Sequence, residues 1–143
     1  MRRRNPRRGT TILEAALVLP VCLTLVFGLC EYGRFVMIRQ LLDNAACVGA
    51  RTAVVSTNTL TTQDIQNIVT NSMAGQTLHG MTIQVYQANP ATGANIGLWT
   101  NAGLGDCIAV QISGNYIPIV PKISLLPNPL ALSATSISYS EAN

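Results

Sequence analysis

Few residues in this chain have the chemistry of an active site, and their spacing does not assemble one. Cys22, Cys30, Cys47 and Cys107 form no CxxC pair and no metal-ligand spacing. Cys22 and Cys30 fall in an apolar run, where a thiol behaves as a small hydrophobe. That leaves Cys47 and Cys107 as the candidate disulfide pair outside the cytoplasm. His79 is the sole histidine, and a Cys107, His79 and Asp106 set can be named without any spacing to support it. The expectation is therefore no enzyme, no metal and no cofactor. The residue that poses a chemical question is Glu14. It stands at the mouth of a greasy segment in RRGTTILEAALVLP, Arg7 to Pro20, where a carboxylate is costly.

The elements around Glu14 follow from charge and hydropathy. Only 10% of the 143 residues are charged while 48% are hydrophobic, against about 25% charged in a soluble domain. That deficit points to a membrane or an assembly. Arg2, Arg3, Arg4, Arg7 and Arg8 supply five of the nine basic residues, and from Thr10 onward four basic residues face six acidic ones. A nucleic-acid surface would spread its basic residues over a folded face with interleaved aromatics, and none is read here. From Ala15 to Cys30 only Thr24 is clearly polar; with Ile12, Leu13 and Glu14 the run reaches nineteen residues, enough to span a bilayer as a helix. Arginines on one side only place the N-terminus inside and the rest of the chain outside. A cleaved secretory signal fits poorly, because the run ends in GLCEYGR without small residues at the cleavage positions. A lipoprotein signal fits no better, since Val21 and Leu29 precede the cysteines.

Past Cys30 the helical pattern continues, with Phe35, Ile38, Leu42, Ala45 and Gly49 at the spacing of one face. Ala45/Gly49 and Ala46/Ala50 are small-residue pairs that admit another backbone, from a partner or from the chain's own domain. One helix from Thr10 to about Val55 is expected, kinked at Pro20. A short helix should open at Thr61-Thr62-Gln63-Asp64 and run to about Ala74. Strands are read at MTIQVYQ from Met81, CIAVQISGNY from Cys107 and ALSATSISYS from Ala131. The fold class is α+β: a long helix, spanning in its first half and amphipathic in its second, packed by a short helix and an antiparallel sheet of about three strands. The expected organisation is a basic leader at 1–9, a transmembrane helix at 10–33 and an outer domain at 34–143. The Gly- and Asn-rich loop Ala88 to Asp106 carries the only tryptophan, Trp99. It is read either as a partner contact or as a side chain folded back onto its own domain. IPIVPKISLLPNPL, broken by Pro118, Pro121, Pro127 and Pro129, reads as an extended apolar connection suited to a membrane surface or a neighbouring subunit.

The residues from Arg7 to Arg51 resemble the TadE-like family of tight-adherence pilus systems. The resemblance rests on Arg8-Gly9, Glu14, the ALVLP of Ala16 to Pro20, Phe27-Gly28, Glu31-Tyr32, Arg34, Asn44 to Ala46, and Gly49 to Arg51. It implies a minor pilin-like, membrane-anchored protein with a structural role in pilus biogenesis. Its implied partners are the membrane, a prepilin peptidase, other pilin-like subunits and the pilus assembly platform, with no nucleic acid or small-molecule substrate. The peptidase would cut between Gly9 and Thr10, where glycine leaves room for close approach. Glu14 would then pair with the new amine of a neighbouring subunit's Thr10 and fix the stagger of adjacent helices. The rival reading is a helix cap, with Glu14 favoured by the dipole at the helix start. Two positions depart from the family pattern. Ala15 follows Glu14 where the major pilins carry tyrosine, and Cys47-Val48 replaces a charged residue. The alternative function is a signal-anchored outer binding module that enters no filament.

Overall fold

A computed structural model of the chain describes residues 7–119 and 129–140. Its backbone is organised by one helix, α1, Arg7–Val55, of 49 residues. At 1.5 Å per residue it is about 70 Å long. It begins three residues earlier than the sequence pattern suggests, so Gly9 and Thr10 lie in its first turn. Pro20 lies inside it and does not end it. The expected kink therefore leaves one uninterrupted element, and the Thr24 hydroxyl donates to the Pro20 carbonyl at 2.8 Å.

Burial divides α1 in two. Its most apolar window has none of its surface buried in the protein, and no residue between Thr11 and Cys30 is buried. From Glu31 onward one face sinks into the head: Ile38, Leu42, Ala45, Ala46, Ala50 and Ala53 are each 2% exposed or less. Glu31 is the first buried residue of the helix among those described, and Ile38 the next.

The second helix, α2, Thr62–Ser72, packs on α1 through Ile65 and Val69. A capping box fixes its start. The Asp64 amide donates to the Thr61 hydroxyl at 3.3 Å, and the Thr61 amide donates to the Asp64 carboxylate at 2.9 Å. The Thr61 hydroxyl also reaches Asp64 Oδ2 at 2.6 Å, and that bond first, then the one from the Thr61 amide, holds the Asp64 carboxyl below its ordinary value. After α2 the chain reverses through Ala74 and Gly75, at φ of 50° and 77°.

The remaining elements form a four-stranded antiparallel sheet in the order β2-β1-β3-β4. The strands are β1, His79–Ala88; β2, Asn95–Gly97; β3, Cys107–Tyr116; and β4, Leu130–Tyr139. The expected three strands are present. The fourth, β2, is a three-residue edge strand inside the loop read as irregular, too short for alternation to reveal it. Strand β3 is central, and Ile108, Val110 and Ile112 on one side of it join Ile83, Val85 and Ala134 against α1 and α2. By alternation Cys107 and Ala109 face the other way, where they cluster with Tyr86 and Ala88. The turn between β1 and β2 reaches this second cluster, with the Tyr86 hydroxyl donating to the Gly93 carbonyl at 3.4 Å.

The helices fit closely because α1 carries small residues where they cross. A Cβ added to Gly49 would stand 2.5 Å from Val69 Cγ2 and 3.2 Å from Val110 Cγ1. The backbone admitted by Ala45/Gly49 and Ala46/Ala50 is thus the chain's own: α2 and β3 occupy that face.

Candidate functional site

Two regions of α1 carry the features with functional potential. The first is the bare apolar half. Leu13, Leu17, Leu25 and Leu29 are 69–74% exposed, which water would not tolerate over so long a surface. Glu14 is exposed on it and is the sole charged side chain between Thr10 and Cys30. Gly9 and Thr10 belong to the helix's first turn, where the backbone N–H groups have no intrahelical acceptor.

The second region is the turn where α1 enters the head. Glu31 is 6% exposed, a carboxylate in the core at the end of the greasy run. A buried carboxylate needs donors, and the far end of β3 supplies them. The Tyr116 hydroxyl donates a short hydrogen bond to Glu31 Oε1. The Ile119 amide lies 3.3 Å from both carboxylate oxygens. Arg34, one turn along, forms an ion pair with Glu31 at 3.7 Å and places its guanidinium 5.3 Å from the Tyr116 ring centre. Phe35 meets the same ring edge-on, with centroids 5.6 Å apart. Burial, with the Glu31 hydrogen bond and charge adding to it, pushes the Tyr116 hydroxyl up to about 12. The group offers no free base or nucleophile. It works as a joint that ties the end of β3 and the chain beyond it to one turn of α1.

Sequence reasoning singled out Glu31 and Arg34 only as parts of a motif and missed Tyr116 and Ile119. The available signal was the carboxylate itself, placed one residue after an apolar run and three before an arginine. Nothing local points to its partner, which is 85 residues away.

The other sequence candidates disperse. Trp99 is 1% exposed, and its indole donates to the Thr62 hydroxyl at 2.8 Å. Its role as a partner contact is therefore corrected: the ring is core and pins the loop to the start of α2. Cys47 and Cys107 are both free thiols. The candidate disulfide is not formed because Cys107 points to the face of the sheet turned away from α1, which carries Cys47. His79 and Cys107 lie at opposite ends of the β1–β3 ladder, where His79 pairs with Asn115 and Ala88 with Cys107. At about 3.3 Å per residue that separation is close to 30 Å. Asp106 is a turn residue whose carboxylate accepts from the Gln87 amide group at 2.9 Å and the Gly103 amide at 2.8 Å. Among the described residues no three His, Cys, Asp or Glu side chains gather as metal ligands.

A helix bare and apolar along its first half, and built into a small α+β head along its second, defines a helix-anchored architecture. The family model described as TadE-like protein matches residues 9–51, less than a third of the chain. The matched span joins Gly9 and Glu14 to the Glu31 turn and the small-residue face. No curated protein and no solved structure matches the chain. The family match implies a pilin-like component associated with a tight-adherence pilus.

Proposed function

We propose that the chain is a single-pass, minor pilin-like subunit of a tight-adherence pilus assembly system. Residues 10–33 cross the cytoplasmic membrane, 1–9 lie inside and 34–143 outside. The observation that carries this reading is the fully exposed apolar half of α1 within the segment that matches the TadE-like model. A prepilin peptidase removes residues 1–9 by cutting between Gly9 and Thr10. The bond lies in the first helical turn, whose unpaired amides and glycine make it the cheapest part of α1 to unwind into a protease. The new Thr10 amine then meets Glu14 of a neighbouring subunit in a setting poor in water, where opposite charges attract strongly. Any other stagger leaves both charges unpaired, so the pair sets the register between helices.

Glu14→Gln tests the assembly step. In cells the variant is expected to insert and to be processed normally, as read by the mass of its mature N-terminus, but to lose co-purification with the other pilus subunits. Association equal to that of the wild type would reduce Glu14 to a helix cap. An intact leader on the wild-type protein would remove the peptidase from the scheme.

A further inference from the structure

The loop that leaves β3 has an unusual surface. Ile117 is 48% exposed and Ile119 70% exposed, with Pro118 buried between them. These are two β-branched apolar side chains just past the end of β3, and the Ile119 amide bonds to Glu31 at 3.3 Å. Those bonds set the loop's height along α1 at the turn where the bare half ends. From Thr11 to Cys30 α1 rises about 30 Å, which equals the hydrocarbon thickness of a bilayer. If that half spans, Ile117 and Ile119 stand at the outer hydrocarbon boundary. Tyr32, 59% exposed, stands at the same level and touches the same aromatic group through Phe35, 6.4 Å away. An amphipathic ring is the kind of side chain that settles at that boundary. Among the described residues of this turn, the charged groups Glu31 and Arg34 pair with each other at 3.7 Å.

We propose that Ile117 and Ile119 form a lipid-facing shelf, a second and non-spanning contact that seats the head on the outer leaflet. Its partner is the acyl–headgroup boundary of the bilayer. The shelf and the Glu31 joint together hold the head at one height and tilt above the membrane. The proposal rests on the membrane-spanning reading of α1.

The test uses the full chain in phosphatidylcholine vesicles whose lipids carry bromine either near the headgroup or deep in the acyl chain. Three variants each add one fluorophore to the buried Trp99, and quenching is read on the added emission. Leu19→Trp reports the spanning helix, Ile119→Trp the shelf, and Leu104→Trp the far end of the head, where Leu104 is 80% exposed. Interfacial side chains sit about 5–10 Å into the boundary, so Ile119→Trp should be quenched about twofold by shallow bromine and less by deep bromine. Leu104→Trp should be unaffected. Leu19→Trp quenched with Ile119→Trp unquenched and red-shifted would overturn the shelf while leaving the anchor intact. A blue-shifted but unquenched Ile119→Trp would mean that a second protein copy covers the loop, and would also overturn it. An unquenched Leu19→Trp would instead refute the anchor on which the shelf rests.

Discussion

Removing one hydroxyl tests whether the joint at Glu31 holds the head to the helix. Tyr116→Phe keeps the ring between Phe35 and Arg34, with centroid distances of 5.6 and 5.3 Å, and deletes only the donor to Glu31. The carboxylate keeps the Ile119 amide at 3.3 Å and Arg34 at 3.7 Å, both weaker contacts. A hydrogen bond to a charged, buried acceptor is worth about 1.5–3 kcal/mol. With the remaining partners compensating in part, the loss should be about 2 kcal/mol, or roughly 5–10 °C in melting temperature for a chain of this size. The assay is thermal unfolding of the full chain in detergent, followed by Trp99 fluorescence. The core tryptophan, 1% exposed, reports the head directly.

Alkaline titration supplies an independent readout. A tyrosine whose folded-state value is raised from 10 to about 12 contributes stability that is complete below pH 10 and is lost as pH rises toward 12. Wild type should therefore lose stability through that window more steeply than Tyr116→Phe, and one of its four tyrosines should ionise late by ultraviolet absorbance. A variant that melts within about 2 °C of wild type, or keeps the late tyrosine, would refute the joint.

Three further outcomes follow from the packing. Gly49→Ala places a Cβ 2.5 Å from Val69 Cγ2 and should destabilise the head by about 1–3 kcal/mol in denaturant titration; adding Val69→Ala clears the clashing methyl and should make the pair less than additive. Trp99→Phe leaves the Thr62 hydroxyl without its 2.8 Å donor and opens a core gap, so it should cost about 2–4 kcal/mol in the same titration. The Asp64 carboxyl is held down by Thr61, so its cap is fully effective above the ordinary carboxylate range and is lost as pH falls through the lowered folded-state value; Asp64→Ala should abolish that acid step in the helical circular-dichroism signal.

The parts of this fold that show in the sequence are those with local causes. The apolar run, the amphipathic continuation, the Thr61 cap and the alternation of β3 each repeat at a helical or strand period, and each appears where its pattern lies. Strand β2 has only three residues, and its pairing to Gln87 and Ala88 depends on a turn that brings it back. The fate of Trp99 rests on Thr62, 37 positions earlier. Small residues on α1 state only that something comes close. Whether that is a partner helix or the chain's own α2 is decided by residues outside α1, Val69 of α2 and Val110 of β3. Pro118 and the start of the connection after β3 are described, whereas Pro121 and Pro127 fall outside the described residues. The motif that carries the proposed function was legible for the same reason: Gly9, Glu14 and the apolar helix are local, whereas the partners of Glu31 are not.

The position of Glu31 explains how one helix serves two surroundings. Before it, α1 has no buried residue from Thr11 onward and asks for an apolar solvent. After it, the same helix supplies one wall of the head's core. A helix that changed surroundings gradually would leave a stretch unsuited to both, half wetted and half packed. The carboxylate marks the change by burying itself in the head, where Tyr116 and Ile119 supply its donors. Those partners come from the end of β3 and the residues just after it, 85 and 88 positions along the chain from Glu31. One turn of α1 is thereby both the end of its bare half and the seat of the end of β3.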